Sequence, residues 1–325
     1  IGISAWQAAV ATRAKNRAVS AEADRAEEAR LAQVERDKSE VARQLAEAAQ
    51  ADAEGVARFL SEIFQSPDPT RGNPMLTVAE LLANAARKLE AELASQPDRR
   101  ARLQATLGIT YHGLGFFGEA IELQEKARDH FIAKLGPEHR ETIKVLGELA
   151  DSYYFRGRYD EALKLREEVL VLSRKVNGPE HSATLRATVR LSGSYVGVRM
   201  DKESGDKVLG LLEAALPLCR KVNGPKHPDT IWAMHHLALA CFAANRRSEA
   251  LALQEQVLAL RREVLGSRHA DTLWAMQDLA THYHLLGRRE ESMSLREERL
   301  RISREVNGPE HLVTLLAMGE LADSY

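Results

Sequence analysis

Cysteines, aromatic residues and long apolar runs are all scarce in this sequence of 325 residues. The two cysteines, Cys219 and Cys241, belong to no CxxC motif or other ligand spacing, which excludes a disulfide framework and a cysteine-based metal site. So low a cysteine content is typical of reducing compartments, and we expect a cytoplasmic location, either free or as the soluble part of a membrane-anchored protein. Because no run of about 18 apolar residues occurs, we expect no direct membrane insertion of this chain.

The charges of the chain nearly cancel, with 45 Lys and Arg against 47 Asp and Glu. A net charge of −2 creates no extended basic field, so we expect no nucleic-acid partner. Glycine and proline are scarce outside a set of recurring strings, whereas Ala, Leu, Glu and Arg dominate. This composition favours helix throughout and predicts an all-α protein.

One short string recurs along the chain. VNGPEH occupies 176–181 and 306–311, and the related strings are VNGPKH at 222–227, LGPEH at 135–139 and LGSRH at 265–269. The glycines of consecutive strings are 42, 46, 42 and 42 residues apart. A nearly fixed period of this length predicts stacked supersecondary units.

Each unit has the pattern of a helical hairpin. Ile143, Leu146, Ala150 and Tyr153 follow a helical spacing in the first half of one unit, and a similar stripe fills its second half. Gly157 lies between the two stripes, where it permits the left-handed turn that ends a helix.

The recurring string predicts the joint between units. Asn177 and Gly178 are residue types that end helices, and we expect Pro179 in the first turn of the next helix. A histidine followed three residues later by a threonine recurs in every copy. One histidine per unit cannot converge on a metal, so we interpret these pairs as structural. They are His139/Thr142, His181/Thr184, His227/Thr230, His269/Thr272 and His311/Thr314.

Four segments align on their Leu-(Gly/Ala)-x-x-Tyr, Gly and Glu-Ala positions: TLGITYHGLGFFGEA (106–120), ELADSYYFRGRYDEA (148–162), HLALACFAANRRSEA (236–250) and DLATHYHLLGRREES (278–292). This pattern resembles the tetratricopeptide repeat, and the 42-residue period with GPEHxxT resembles its kinesin-light-chain type. The resemblance covers 97–325 and implies a right-handed superhelical solenoid of about five hairpins, the last incomplete. The second unit departs from it, with four extra residues in 195–209 and Pro217, which we expect to interrupt a helix.

The N-terminal part has a different character. Residues 1–65 predict a long Ala/Glu/Arg-rich helix, and 66–96 predict a loop and a capping helix that begins near Val78 with Thr77 and Glu80 as a capping box. FLSEIFQSPDP (59–69) and 76–115 resemble the region that joins the membrane helix of bacterial receptor-type serine/threonine kinases to their repeats. We therefore expect the chain to be a piece of a longer protein, with IGISAW as the end of a membrane segment. An alternative interpretation makes 5–58 a dimerising coiled coil.

Apparent catalytic motifs in this chain are explained by the repeat. Gly113, Gly115 and Gly118 spell GxGxxG, but they follow a helix and fill a hairpin turn, whereas a dinucleotide site requires a preceding strand. HRE at 139–141 lacks the aspartate of a kinase catalytic loop. The pairs His235/His236 and His282/His284 do not have the i, i+3 or i+4 spacing of helical metal ligands. We expect no enzyme activity, no cofactor and no metal.

The tetratricopeptide resemblance implies that the first helix of each unit lines a concave peptide-binding face. Trp232 and Trp274, one repeat apart, would either anchor a peptide or pack between neighbouring first helices, and the sequence leaves both open. The asparagines that kinesin light chains use for peptide backbones are replaced here by Gly147/Glu148, His235/His236 and Gln277/Asp278. The candidate peptide-binding residues are Lys144, Asp151, Tyr154, Arg186, Trp232, His235, Leu239, Trp274, Gln277, Thr281 and His284.

These patterns predict a protein–protein interaction scaffold that binds a protein or peptide on its concave face. We expect it to be the C-terminal sensor or scaffold part of a larger bacterial signalling protein. The alternative is the non-catalytic region of a serine/threonine protein kinase. Self-association is expected through 1–65 or through the open C-terminal end, because its last helix lacks a partner helix.

Overall fold

A computed structural model describes isolated helical positions between 27 and 43 and two continuous ranges, 78–198 and 202–322. The predicted helix over 1–65 therefore lies outside the described residues, apart from those isolated positions. Thr77 of the capping box and residues 199–201, within the segment 195–209 that carries the four extra residues, also lie outside them. The chain divides into two units, Ile1–Glu92 and Leu93–Tyr325. In the first unit, α1 spans Val78–Glu92 and buries Leu82, Ala85 and Leu89.

The second unit is built from consecutive antiparallel helices, and the predicted all-α class is confirmed. Each helix packs on the next along the chain, and α2 with α4 and α6 with α8 also make contact. The described residues form five complete hairpins, α2/α3 to α10/α11, followed by the single helix α12. Their bounds are α2 Pro97–Gly113, α3 Phe117–Leu135, α4 Arg140–Phe155, α5 Tyr159–Asn177, α6 Ser182–Val198, α7 Lys202–Val222, α8 Pro228–Ala243, α9 Arg247–Leu265, α10 Ala270–Leu285, α11 Arg289–Asn307 and α12 Leu312–Ala322.

The recurring string forms the joint between hairpins, as the sequence predicts. Gly178 ends α5 with a φ of 84°, a backbone conformation that favours glycine. Each of the five histidines is the N-cap of the next helix, because its Nδ1 accepts the backbone N–H two residues later. The threonine hydroxyl donates to a carbonyl of the preceding joint or helix, for example Thr272 Oγ1 to Gly266 O at 2.8 Å. The histidines therefore cap the first helices, and the threonines bond those helices to the preceding joint or helix.

Two details of the predicted helix ends are wrong. Pro179 lies in the turn before His181 and not in the first helical turn, because α6 begins only at Ser182. Pro217 does not interrupt α7, which runs unbroken from Lys202 to Val222. The buried neighbours Ala215, Leu216 and Cys219 hold the helix against the core, so packing overrides the backbone hydrogen bond that proline removes.

The turns within hairpins also follow the sequence. Gly157 has a φ of 86° and Gly115 a φ of 83°, both in the left-handed region. The GxGxxG glycines thus belong to the end of α2, its turn and the start of α3, which confirms their structural interpretation. Small residues permit close helix packing: Ala120, Ala162 and Ala250 have no exposed surface.

Tyrosines of the first helices link successive hairpins. The hydroxyls of Tyr195 and Tyr283 each donate at 2.8 Å to a glutamate of the preceding hairpin, Glu167 and Glu255. Burial raises the pKa of both phenols to about 12, and the hydrogen bond to a carboxylate adds to this shift. These contacts recur with the repeat and fix the stacking of one hairpin on the next.

Candidate functional site

One position in each first helix forms a continuous column along the array. We call the surface that carries this column the groove face. The column begins with three cations, continues with two tryptophans and ends with a leucine: Arg102, Lys144, Arg186, Trp232, Trp274 and Leu316. Five of these six residues are exposed, and Arg102 is half-buried. The groove face therefore changes from basic to aromatic between α6 and α8.

A pocket of about 210 Å³ opens on the basic part, where α4, α5 and α6 meet. Its apolar walls include Ile143, Val169 and Ala187. Five cations line it, namely Arg140, Lys144, Arg166, Arg186 and Arg190, with Glu148 and Asp151 as the lining carboxylates. We call this cavity the basic pocket. Its combination of apolar walls and cationic edges suits a ligand group that is partly apolar and partly anionic.

The base of the basic pocket is a buried ion network. Asp151 is only 3% exposed and accepts from Arg166 Nη2 at 2.8 Å and from Arg190. Arg166 Nη1 also donates to the backbone carbonyl of Arg190 at 2.8 Å and to Ser194 Oγ at 2.7 Å. Burial lowers the pKa of Arg166 to about 10, so the guanidinium stays charged at neutral pH. The carboxylate of Asp151 is therefore engaged by two arginines at the base of the basic pocket.

The cations at the rim are less constrained. Arg186 pairs with Asp229 of α8 at 3.0 Å, yet its side chain is 53% exposed. Arg140 and Lys144 form no ion pair with any residue that the structure describes, and both are exposed. An incoming anion therefore does not have to displace a carboxylate from Arg140 or Lys144.

A second pocket of about 200 Å³ lies between α2 and α4 and shares Lys144 and Glu148 with the basic pocket. Ile109 and Phe131 contribute its apolar wall. Arg102 forms an ion pair with Glu141 at 3.6 Å across it. Lys144 is therefore positioned between two adjacent pockets of the groove face.

Trp232 and Trp274 are 37% and 50% exposed, so neither is a buried core residue. Each indole has an arginine of the second helix against it. The guanidinium of Arg261 lies 4.6 Å from the Trp232 ring, and that of Arg299 lies 6.0 Å from the Trp274 ring. Tyr154 has the same arrangement with Arg166, at 4.7 Å. Three aromatic side chains of the groove face are thus backed by buried cations.

The repeat pattern does not predict these arginines, because an arginine on a helix is expected to face solvent. Arg261 and Arg299 are each 2% exposed. Arg261 donates to the backbone carbonyl of Asp271 at 2.9 Å, and Arg299 donates to Gln277 Oε1 at 3.0 Å and to Glu320. The one sequence feature that could have indicated their burial is their position, since both lie on the apolar stripe of their helices.

Histidines and an aspartate form a polar cluster under the aromatic part, in which His235 and His282 are buried and His236 and Asp278 are half-buried. His235 Nδ1 lies 3.7 Å from Asp278 Oδ2, and the rings of His282 and Phe242 stack at 4.4 Å. His236 Nδ1 lies 3.0 Å from Ser192 Oγ of α6. Burial lowers the pKa of all three histidines, to about 4 for His236, and raises the pKa of Asp278 to about 6. No metal-binding group of His, Cys, Asp or Glu occurs among the residues that the structure describes.

The remaining predicted residues lie on α8 and α10. Leu239 is half-buried and His284 is exposed. Gln277 accepts from Arg299, while Thr281 Oγ1 donates to the carbonyl of Gln277 at 3.0 Å. His235, at 8% exposure, supports the surface from beneath, as Asp151 does in the basic pocket. Among the other predicted residues, Lys144, Arg186, Trp232 and Trp274 are exposed, and Tyr154 is half-buried like Gln277 and Thr281.

An aromatic cluster at the ends of α2 and α4 was not predicted. Phe117 and Phe155 stack at 5.6 Å, His112 contacts both rings, and Tyr154 and Tyr159 extend the group. Phe155 is 58% exposed. Its members are adjacent only because two hairpins stack, so no local sequence pattern indicates the cluster.

Stacked hairpins with a groove face along their first helices define an α-solenoid repeat protein. No helix in the described part of the chain is long and apolar enough to cross a membrane. The family model of the tetratricopeptide repeat matches residues 99–168, 141–202, 197–263 and 248–305. The chain belongs to the tetratricopeptide repeat family, whose domains generally act as scaffolds that bind proteins or peptides. Only this repeat is matched, and no curated protein matches the chain.

Solved structures support the same assignment. The chain is similar to nearly identical TPR-like repeats of a putative kinesin light chain from Podosopora anserina, with 30% identity and a TM-score of 0.51 over 64% of this chain and 96% of that one. The fold is shared with BtubC from P. vanneervenii (17% identity, TM-score 0.53, 70% and 90% covered). It is also shared with a Rap protein in complex with Competence and Sporulation Factor (12%, 0.57, 85% and 88%).

Proposed function

We propose that the array binds an extended segment of a partner protein along the groove face. The observation that carries this proposal is the column that changes from Arg102, Lys144 and Arg186 to Trp232 and Trp274. Half-exposed tryptophans are common binding anchors because they bury large areas with few rotatable bonds. The basic part supplies charge complementarity, which steers association and sets orientation. The segment therefore has acidic residues at α2–α6 and apolar or aromatic residues at α8–α10.

The tryptophans in this proposal are anchors with one buried face. Arg261 and Arg299 hold the inner side of the two rings, while 37% of Trp232 and 50% of Trp274 remain exposed. A partner side chain placed on the exposed surface would complete the burial of each ring. The packing interpretation assigns the tryptophans to stability alone, and it predicts a different outcome for the same variants.

Binding can be tested with peptides selected by display on the immobilised full chain. We expect the selected peptides to combine Asp or Glu with an aromatic residue. Trp232→Ala and Trp274→Ala should each weaken binding by about 2 kcal/mol or more. Lys144→Ala and Arg186→Ala should mainly lower the association rate and its dependence on salt. Titration calorimetry and stopped-flow kinetics measure the two effects.

Unfolding of the same variants separates binding from packing. Truncating a fully buried tryptophan to alanine lowers the free energy of unfolding by about 3–5 kcal/mol. Because the two indoles are only partly buried, Trp232→Ala and Trp274→Ala should each lower it by roughly 2 kcal/mol. Val171→Ala is a matched control, since Val171 is exposed and lies on the second helix of a hairpin. Folded tryptophan variants with unchanged affinity for the selected peptides would exclude the groove at these positions.

For the biological setting, we infer that the array is the sensor or scaffold part of a larger bacterial signalling protein. The support is the resemblance of 59–69 and 76–115 to the region before the repeats of receptor-type serine/threonine kinases. In the alternative, the chain is the non-catalytic region of such a kinase. The reading frame upstream of Ile1 tests both: HRD and DFG motifs there would establish the kinase, and an unrelated frame would exclude it.

A further inference from the structure

The basic pocket has a charge and shape that the general proposal of peptide binding does not explain. Its five cations face Glu148 and Asp151, and Arg186 is additionally paired with Asp229. Five cations against three carboxylates leave a surplus of two positive charges in a space of about 210 Å³. A cluster of like charges is destabilising unless an anion compensates it. The surplus makes the pocket electrostatically favourable for an anionic group of matching charge.

We propose that the basic pocket binds a phosphate monoester on an apolar stem, presented as a phosphorylated side chain of the bound partner. This inference rests on the proposed function only in that a partner protein carries the group. A phosphate monoester has a charge of about −1.5 to −2 at neutral pH and three terminal oxygens. It matches the surplus of two charges, whereas a single carboxylate would compensate only half of it.

The rim residues have the geometry to hold such a group. Arg140 and Lys144 are exposed and have no ion-pair partner among the described residues, so they can move to an anion without breaking an existing pair. Arg190 is 44% exposed although it shares Asp151 with Arg166, and its second guanidinium edge can donate to the ligand. The buried Arg166 has Asp151, a carbonyl and Ser194 as acceptors, and it positions Asp151 instead of contacting the ligand.

The walls explain the apolar stem. Ile143, Val169 and Ala187 are each at most 7% exposed and form the apolar side of the cavity below the cations. A free phosphate ion would gain no contact with this wall, whereas a stem of ring or alkyl carbons would pack against it. Ala183 lies at the rim, where a larger side chain would occupy the space of the stem.

The test uses the full chain and small probes, so it is independent of any peptide. Phenyl phosphate, inorganic phosphate and benzoate are titrated at low ionic strength, with calorimetry and ³¹P line broadening as readouts. Phenyl phosphate should bind at least about tenfold more tightly than either other probe, because only it supplies both the dianion and the stem. Equal affinity for benzoate would overturn the assignment to phosphate, and equal affinity for inorganic phosphate would overturn the stem.

Variants locate the site. Lys144→Ala and Arg140→Ala should each weaken phenyl phosphate binding about tenfold, since a hydrogen bond to a charged group is lost. The matched control is Lys164→Ala, because Lys164 is an exposed lysine of α5 that does not line the pocket. Ala183→Phe should reduce phenyl phosphate binding and leave inorganic phosphate unchanged. All four positions are exposed, so the variants are expected to fold normally.

The outcomes distinguish this inference from the proposed function. Absence of phenyl phosphate binding, or identical binding by Lys144→Ala and Lys164→Ala, would overturn the phosphate pocket. The display-selected peptides and the tryptophan variants would still test the groove. The converse result is that the chain binds phenyl phosphate at this site but selects no peptide. That result would identify a pocket for a small phosphorylated molecule, and it would overturn the proposal that a partner protein presents the phosphate.

Discussion

Asp151 should be the most costly charged residue of the basic pocket to truncate. Its carboxylate is 3% exposed and is the only carboxylate that the described residues supply to Arg166, which is 6% exposed. Removing one partner of a buried pair costs about 3–5 kcal/mol, because the other charge is left without compensation. Arg166 keeps the carbonyl of Arg190 and Ser194 Oγ as acceptors. We therefore expect about 3 kcal/mol for Asp151→Ala, the lower end of the range.

The contribution of Arg190 to this loss should be small. Its side chain is 44% exposed, so water can solvate the guanidinium after the carboxylate is removed. The double variant Asp151→Ala with Arg166→Met removes both buried charges and should be more stable than Asp151→Ala alone. Glu148→Ala is the control, because Glu148 lies on the same helix and lines the same pocket, and we expect a change within about 0.5 kcal/mol.

A repeat array unfolds in segments, so the assay must be local. Hydrogen exchange of amides in α4, α5 and α6 measures the free energy of opening there, and urea denaturation gives the global value. We expect the loss to be concentrated in α4–α6, with α10 and α11 nearly unchanged. A cost below about 1 kcal/mol for Asp151→Ala, or a double variant less stable than the single one, would refute the buried-pair argument.

Three further perturbations follow from the structure. Pro217→Ala should stabilise α7 by about 1–2 kcal/mol in urea denaturation, since it restores a helical hydrogen bond at an exposed position; a loss of stability would contradict this. Thr272→Val should cost about 1–2 kcal/mol by losing its bond to Gly266, whereas the partly exposed Thr281→Val should cost less. Acidification from about pH 7 to about pH 5 should lower the urea midpoint, because the folded state takes up fewer protons than the unfolded state below the ordinary histidine pKa of 6.5. Asp278, whose pKa is raised to about 6, opposes this loss of stability only below that pH. A urea midpoint that rises on acidification would refute the burial of the histidines with lowered pKa. These histidines are His112, His235, His236 and His282.

The period, the hairpins and the joints could be derived from the sequence because each depends on neighbouring residues. Gly178 ends a helix through its own backbone freedom, and His181 caps the next helix through a bond to an amide two residues away. The column of the groove face is also readable, since residues one period apart take equivalent positions in a regular array. The change from Lys144 and Arg186 to Trp232 and Trp274 is therefore a property of the sequence.

Only the tertiary structure decided which of these side chains are exposed and which are engaged in buried ion pairs. Lys144 and Asp151 are two turns apart on α4, yet one is exposed and the other is saturated by Arg166 and Arg190 from two other helices. The buried arginines behind Trp232 and Trp274 and the continuous helix through Pro217 likewise depend on neighbours distant in sequence. Periodicity specifies where a residue recurs, but burial and ion pairing depend on the side chains that stacking brings opposite it.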